Sequence, residues 1–100
     1  MSVYVDNARI PARVGRISAR WSHLTADTKE ELHAFASRIG LRRAWFQDKA
    51  DLGGGPGVHW HYDVTDTKRR EALAAGAVPI DLRQMGEIIR GRRDALKGRP

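Results

Sequence analysis

The chain contains no cysteine. That excludes a disulfide framework, a thiolate zinc site and a cysteine nucleophile. It also lacks any apolar run near the roughly 20 residues that a membrane helix needs, so no membrane partner is expected. The opening residues, Met1-Ser2-Val3-Tyr4-Val5-Asp6, have no basic segment followed by an apolar one. No signal peptide is therefore read, and a cytoplasmic location is the default expectation. Acidic side chains are the scarcer charge: 12 Asp and Glu against 18 Lys and Arg, for a net charge of +6. A small basic domain attracts polyanions such as nucleotides and nucleic acid. The competing explanation is that the arginine excess only keeps the protein in solution. There are no repeats and no linker, and 41% of the 100 residues are hydrophobic. This predicts one compact domain over residues 1–100, with 97–100 frayed.

What is present is concentrated in Val58-His59-Trp60-His61-Tyr62-Asp63-Val64, which holds two histidines, two aromatic rings and a carboxylate. Side chains alternate faces along a strand. If this stretch is extended, His59, His61 and Asp63 share one side, and Val58, Trp60 and Tyr62 the other. A glycine-rich loop, Gly53 to Gly57, precedes it. That loop has no Lys-Ser/Thr ending and no helix directly after it, so it is not a P-loop.

Taken in order, Ser2 to Asp6 reads as a strand, with Val3 and Val5 on one face. Asp6 at its end is either a site carboxylate or the start of an Asx turn. Ala8 to Trp21 reads as a basic connector carrying Arg9, Arg13, Arg16 and Arg20. Pro11 and Gly15 argue against a helix there. Ile17 to Trp21 is a possible second strand, continued by Ser22-His23-Leu24. Thr25 to Ile39 is the clearest helix: Thr28 and Glu31 form a capping box, and Leu32, Phe35, Ala36 and Ile39 form one stripe. Gly40 ends it. Leu41 to Phe46 reads as a third strand. Thr65 to Ala75 reads as a second helix, carrying Lys68, Arg69 and Leu73 and stopped by Gly76. Ala77 to Ile80 reads as an edge strand because of Pro79. Asp81 and Gln84 open a last helix with an apolar stripe of Leu82, Met85, Ile88, Ile89 and Leu96. The expected fold is a single α/β domain: a mixed, mostly parallel sheet of about four strands with about three helices.

Several blocks in fixed order resemble a known family. They are Val3-Tyr4-Val5-Asp6, Trp21-Ser22-His23-Leu24-Thr25-Ala26-Asp27, Glu30-Glu31-Leu32-His33-Ala34-Phe35-Ala36, Trp45-Phe46-Gln47, His61-Tyr62-Asp63-Val64, and Lys68-Arg69 through Ala75-Gly76-Ala77-Val78. The chain resembles the DUF4031 family, small proteins of actinobacteria and their phages, over residues 3–85. That family is functionally uncharacterised, so the resemblance brings no catalytic residues with it.

The residues themselves nominate Asp6, His23, His33, His61 and Asp63 as catalytic candidates, all at expected strand ends or helix starts. Imidazole nitrogen and carboxylate oxygen suit a divalent ion such as Zn²⁺ or Mn²⁺, with Asp6, His61 and Asp63 as the expected ligands. A metal-free alternative uses two histidines as acid and base on a phosphodiester. Arg9, Arg13, Arg16, Arg20, Lys68 and Arg69 are the candidate phosphate contacts. The expected function is metal-assisted hydrolysis of a phosphoester in a nucleotide or nucleic acid. The alternative is a non-catalytic nucleic-acid-binding or phage accessory protein, with tryptophans stacking on bases.

Overall fold

The computed structural model describes residues 2–48 and 57–97. The Gly53 to Gly57 loop lies outside them except for Gly57, as does the expected fraying beyond Lys97. The elements run β1 (Val3–Val5), β2 (Ile10–Val14), β3 (Ile17–Ala26), α1 (Lys29–Arg38), a 3-10 turn (Arg43–Trp45), β4 (Tyr62–Thr65), α2 (Asp66–Ala74), β5 (Val78–Pro79) and α3 (Leu82–Lys97).

The three helices are where the caps and stripes place them, except that α1 begins after its Thr28 cap and not at Thr25, since Thr25 and Ala26 end β3. The Thr28 hydroxyl accepts from the Glu31 amide at 3.2 Å and donates to the Glu31 carboxylate at 3.1 Å. Glu31 is thus a cap. Both α1 and α2 end in the same closing motif. The residue after each helix cap, Gly40 or Gly76, takes a left-handed φ of 82° or 106°. The next amide reaches back to the helix: Leu41 to Ala36 and Ala77 to Ala72. Only glycine takes that backbone without strain. α3 opens on a reciprocal pair: the Gln84 amide donates to Asp81 at 2.8 Å and the Asp81 amide to Gln84 at 2.9 Å.

The sheet corrects the expected topology. It has five strands, not about four, and it is mostly antiparallel. Only β1 and β5 run parallel. β3 is the long central strand: Leu24 pairs with Val5 on one edge and with Tyr62 on the other. The reason is the segment read as a connector. Pro11 and Gly15 do exclude a helix, but the chain there makes a hairpin, with β2 paired to β3 from Ile10↔Trp21 to Val14↔Ile17. A hairpin forces antiparallel pairing. One face of this arm is apolar: Ile10 is 51%, Val14 56% and Ile17 54% exposed. The other carries Arg13 and Arg20. A second correction concerns Leu41 to Phe46, which is not a strand. It turns through the short 3-10 segment and contributes only one bridge, Gln47↔His61.

The core lies between one face of the sheet and α1 and α2. Val5, Leu24, Ala26, Tyr62 and Val64 meet Leu32, Phe35, Ala36 and Ala72, all buried. Val3, Ile39 and Leu73 pack against this cluster. Full burial of one such leucine stabilises the fold by about 1.5–3 kcal/mol. Among the described residues no helix is long and apolar enough to cross a membrane.

Candidate metal centre

Alternation along β3 sends Leu24 into the core and its neighbours His23 and Thr25 to the opposite face. The register then aligns three polar side chains on that face. Asp63 lies directly across from His23. On the other edge, the Asp6 amide donates to the His23 carbonyl at 3.0 Å, extending the β1 pairing by one residue. Asp6, His23 and Asp63 therefore form a row across three strands. Directly paired side chains stand about 4.5–5.5 Å apart at Cβ, so contact is built in. The row comes from cross-strand register, not from the carboxyl ends of parallel strands.

His61 joins this row from just before β4, where its amide and carbonyl exchange bonds with Gln47 at 3.0 and 2.9 Å. Its ring meets that of His23 edge-on at 5.0 Å between centroids. One nitrogen from each of His23 and His61 and one oxygen of Asp63 all lie within 4.8 Å of one another. Ligand atoms about 2.1 Å from a shared ion are at most about 4.2 Å apart. A side-chain adjustment of under about an ångström closes that difference.

Each of the three groups is oriented by a partner behind it. The His23 Nδ1 lies 2.7 Å from the Asp6 carboxylate. Asp6 is fully buried, and its other oxygen accepts from the amides of His23 at 2.9 Å and Ala8 at 3.2 Å. The Asx turn and the site role of Asp6 thus coexist. An ionised carboxylate only accepts, so Nδ1 donates and the lone pair of neutral His23 sits on Nε2. His61 repeats the pattern: its Nδ1 faces the His59 carbonyl, which can also only accept. Gln47 donates its side-chain amide to one oxygen of Asp63. This leaves the Nε2 of a neutral His61 and the other Asp63 oxygen as two acceptors 3.1 Å apart. A cation, whether proton or metal ion, has to accompany them.

The electrostatics follow from these contacts. Burial pushes the Asp6 carboxyl up, but the bonds from the His23 ring and from the His23 and Ala8 amides outweigh it and hold it below the usual range. The same hydrogen bond raises His23 above its ordinary value, against burial, with the charges of Asp6 and Asp63 adding to it. Asp63 is pushed up by burial and pulled further down by His61, Gln47 and His23, ending below the usual carboxylate value.

The expected site residues do not all converge. Asp6, His23, His61 and Asp63 do. His33 does not: it is on α1, its Nδ1 is 2.9 Å from the Tyr62 hydroxyl, and its ring packs edge-on to Phe46 at 4.5 Å. Tyr62 points to the core face and His61 and Asp63 to the other, so a residue on α1 cannot reach them. Asp6 was expected as a ligand and is placed instead behind His23, and it is His23 that joins His61 and Asp63 in the group close enough to hold an ion. Residues 58–60 precede the regular strand, and Trp60 leaves the expected alternation. It lies under the Arg92 guanidinium, 3.5 Å from its ring centroid.

Of the expected phosphate contacts, four are engaged within the fold, Arg13 by donating to the Gly15 carbonyl at 3.1 Å across the hairpin turn. Arg9 forms a two-pronged pair with Asp66 at 3.1 and 2.8 Å. Lys68 donates to the Ile39 carbonyl at 2.7 Å and pairs with Glu71 at 3.0 Å. Arg69 donates to the Asp6 carbonyl at 2.8 Å, behind the site. Arg13, Arg16 and Arg20 stand exposed on the hairpin. Sequence reasoning missed Gln47 and Arg92. Gln47 had a signal, its place in the Trp45-Phe46-Gln47 block. Arg92 had none, since it reads as one of several arginines on the polar face of the last helix. In the structure it donates to Thr25, Ala26 and Val58 at 2.6, 2.9 and 2.8 Å and ties α3 to the site face. Burial pulls its guanidinium down to about 10.

The fold and the cluster define a small α/β domain that presents two histidines and one carboxylate across an antiparallel sheet. The chain belongs to the DUF4031 family, described as proteins of unknown function, whose profile matches residues 3–92. Comparison with curated proteins and with solved structures gives no match.

Proposed function

We infer that His23, His61 and Asp63 bind one divalent ion, Zn²⁺ or Mn²⁺, and that the protein is a metal-assisted hydrolase of phosphoesters. The observation that carries this reading is the orientation of the two imidazoles. Each has its Nδ1 tied to an acceptor, which leaves the Nε2 lone pair free; that of His61 lies 3.1 Å from Asp63, and a nitrogen of His23 lies within 4.8 Å of both. That arrangement of acceptor, histidine and ion is the usual one for metal-binding histidines. Three protein ligands leave a coordination position for water, whose pKa a bound ion lowers toward neutrality. The chain's own contribution is to hold the nitrogens in the binding tautomer and the carboxylate ionised. The net charge of +6 favours an anionic substrate.

Calorimetry with Zn²⁺ and Mn²⁺ on the wild type and His61→Ala, followed by hydrolysis of bis-p-nitrophenyl phosphate, tests the reading. One-site binding lost in His61→Ala, with metal-dependent turnover, is expected. Binding without turnover would leave a metal site and remove the hydrolase.

A second reading, non-catalytic nucleic-acid binding, is favoured by one observation. Arg13 and Arg20 share the basic face of the hairpin arm, with Arg16 at its turn. A two-stranded ribbon of this kind fits a nucleic-acid groove. Heparin and DNA affinity that falls steeply with salt is its expected signature, and a flat salt dependence would remove it.

A further inference from the structure

α3 crosses the site face of the sheet and leaves a cleft of about 280 Å³ beneath it. His23 and His61, two of the three groups of the metal centre, are part of its lining. Trp60 borders it, and Met85 and Ile89 of α3 face it from above. Leu82 and the Met85 thioether add to the apolar part of the lining; Asp6 and His59 add polar edges, with the Asp6 carboxylate already engaged by the His23 ring and by the His23 and Ala8 amides. Arg92 also borders the cleft, but its charge is committed to three protein oxygens. The space equals that of about nine liquid waters, enough for one ring and a small reacting group.

Gly86 is the notable residue of that lining. It sits inside α3 at an ordinary helical φ, where glycine is a poorer helix former than alanine. A Cβ added to it would meet nothing within 4 Å, so packing does not call for glycine there. What its hydrogen provides is open space over the cleft. Gly91 on the same helix has equal freedom and is not among the residues lining the cleft.

We propose that the cleft under α3 is the substrate pocket of the metal centre and takes a small phosphoester bearing one ring-sized apolar group. This rests on the metal-hydrolase reading. The oxyanion reaches the ion at the histidines, and the ring lies between Trp60 and the Met85–Ile89 face. Gly86 keeps the ring's position clear.

The test uses zinc-loaded protein titrated with phenylphosphonate and with methylphosphonate, two unhydrolysable oxyanions that differ by the ring. Phenylphosphonate is expected to bind at least tenfold tighter. Gly86→Leu should erase that advantage, with the zinc heat, the methylphosphonate affinity and the melting temperature no lower than wild type. Gly91→Leu should leave the ring advantage, both phosphonate affinities and the zinc heat unchanged, with a melting temperature no lower than wild type. Metal-free protein is titrated in parallel with 1-naphthol, which is expected to bind the wild type and not Gly86→Leu. Equal affinity for the two phosphonates, or a ring advantage that survives Gly86→Leu, overturns the pocket while the zinc heat keeps the metal reading. A missing zinc heat overturns the metal reading and the substrate role together, and naphthol then reports whether the cleft binds a ring at all.

Discussion

Replacing Asp6 by asparagine isolates what the buried carboxylate does for His23. The side chain keeps its shape, so packing around this fully buried position is retained. The amides of His23 and Ala8 both donate to one oxygen of Asp6. Those two bonds fix the asparagine oxygen at that position and turn its NH₂ toward the His23 Nδ1. Two donors then face each other where a 2.7 Å bond existed. The His23 ring relieves this by moving its proton to Nε2, which removes the lone pair the ion needs. Loss of such a partner weakens metal binding about 10–100-fold. That corresponds to about 1.4–2.7 kcal/mol, at about 1.4 kcal/mol per tenfold. Zinc affinity measured by competition with a chromophoric chelator reads it directly. An Asp6→Asn protein that melts cooperatively yet binds zinc within twofold of wild type would refute the tautomer argument.

The pH dependence has opposite signs with and without metal. In the metal-free protein the raised His23 contributes stability that is full below about 6.5 and is lost as pH rises through its higher folded value. The depressed Asp6 contributes stability above about 3.9 that is lost as pH falls through its lower folded value. The carboxylates facing His23 are Asp6 and Asp63, with the His61 ring beside them, so thermal melts without metal should peak between these limits. Zinc must displace the His23 proton, so the melting shift on adding zinc should grow from pH 6 to pH 8. A zinc shift that shrinks as pH rises would contradict the assignment. In the core, Leu32→Ala should cost about 2–5 kcal/mol in denaturant melts, because Leu32 is fully buried between α1 and the sheet. A midpoint unchanged within error would remove α1 from the core.

Much of the helical structure was legible because its signals are local. Thr28 with Glu31 and Asp81 with Gln84 announce the starts of α1 and α3, and Gly40 and Gly76 announce where α1 and α2 end. The sheet was less legible because pairing is a long-range choice. Pro11 and Gly15 fit a connector as well as a hairpin, and only the pairing with Ile17 to Trp21 distinguishes them. Once that hairpin exists, β3 is central and the sheet is mostly antiparallel. Trp45 and Phe46 read as strand residues by type, yet the chain turns there and Trp45 is 51% exposed. At the site, four of five nominated residues meet, since Asp6, His61 and Asp63 lie near strand ends and His23 follows in β3. His33 failed because its helix covers the other face. The candidate group holds His23 in place of Asp6 because register places His23 between the two carboxylates, which residue order does not reveal.

The central claim is that His23, His61 and Asp63 share one ion. Anomalous diffraction at the zinc edge, from crystals grown with one equivalent of Zn²⁺, measures it most directly. The account predicts a single strong peak about 2.0–2.2 Å from the Nε2 atoms of His23 and His61 and from a carboxylate oxygen of Asp63, with Asp6 still bonded to the His23 Nδ1. A peak elsewhere on the chain, or none at these three residues, would contradict it.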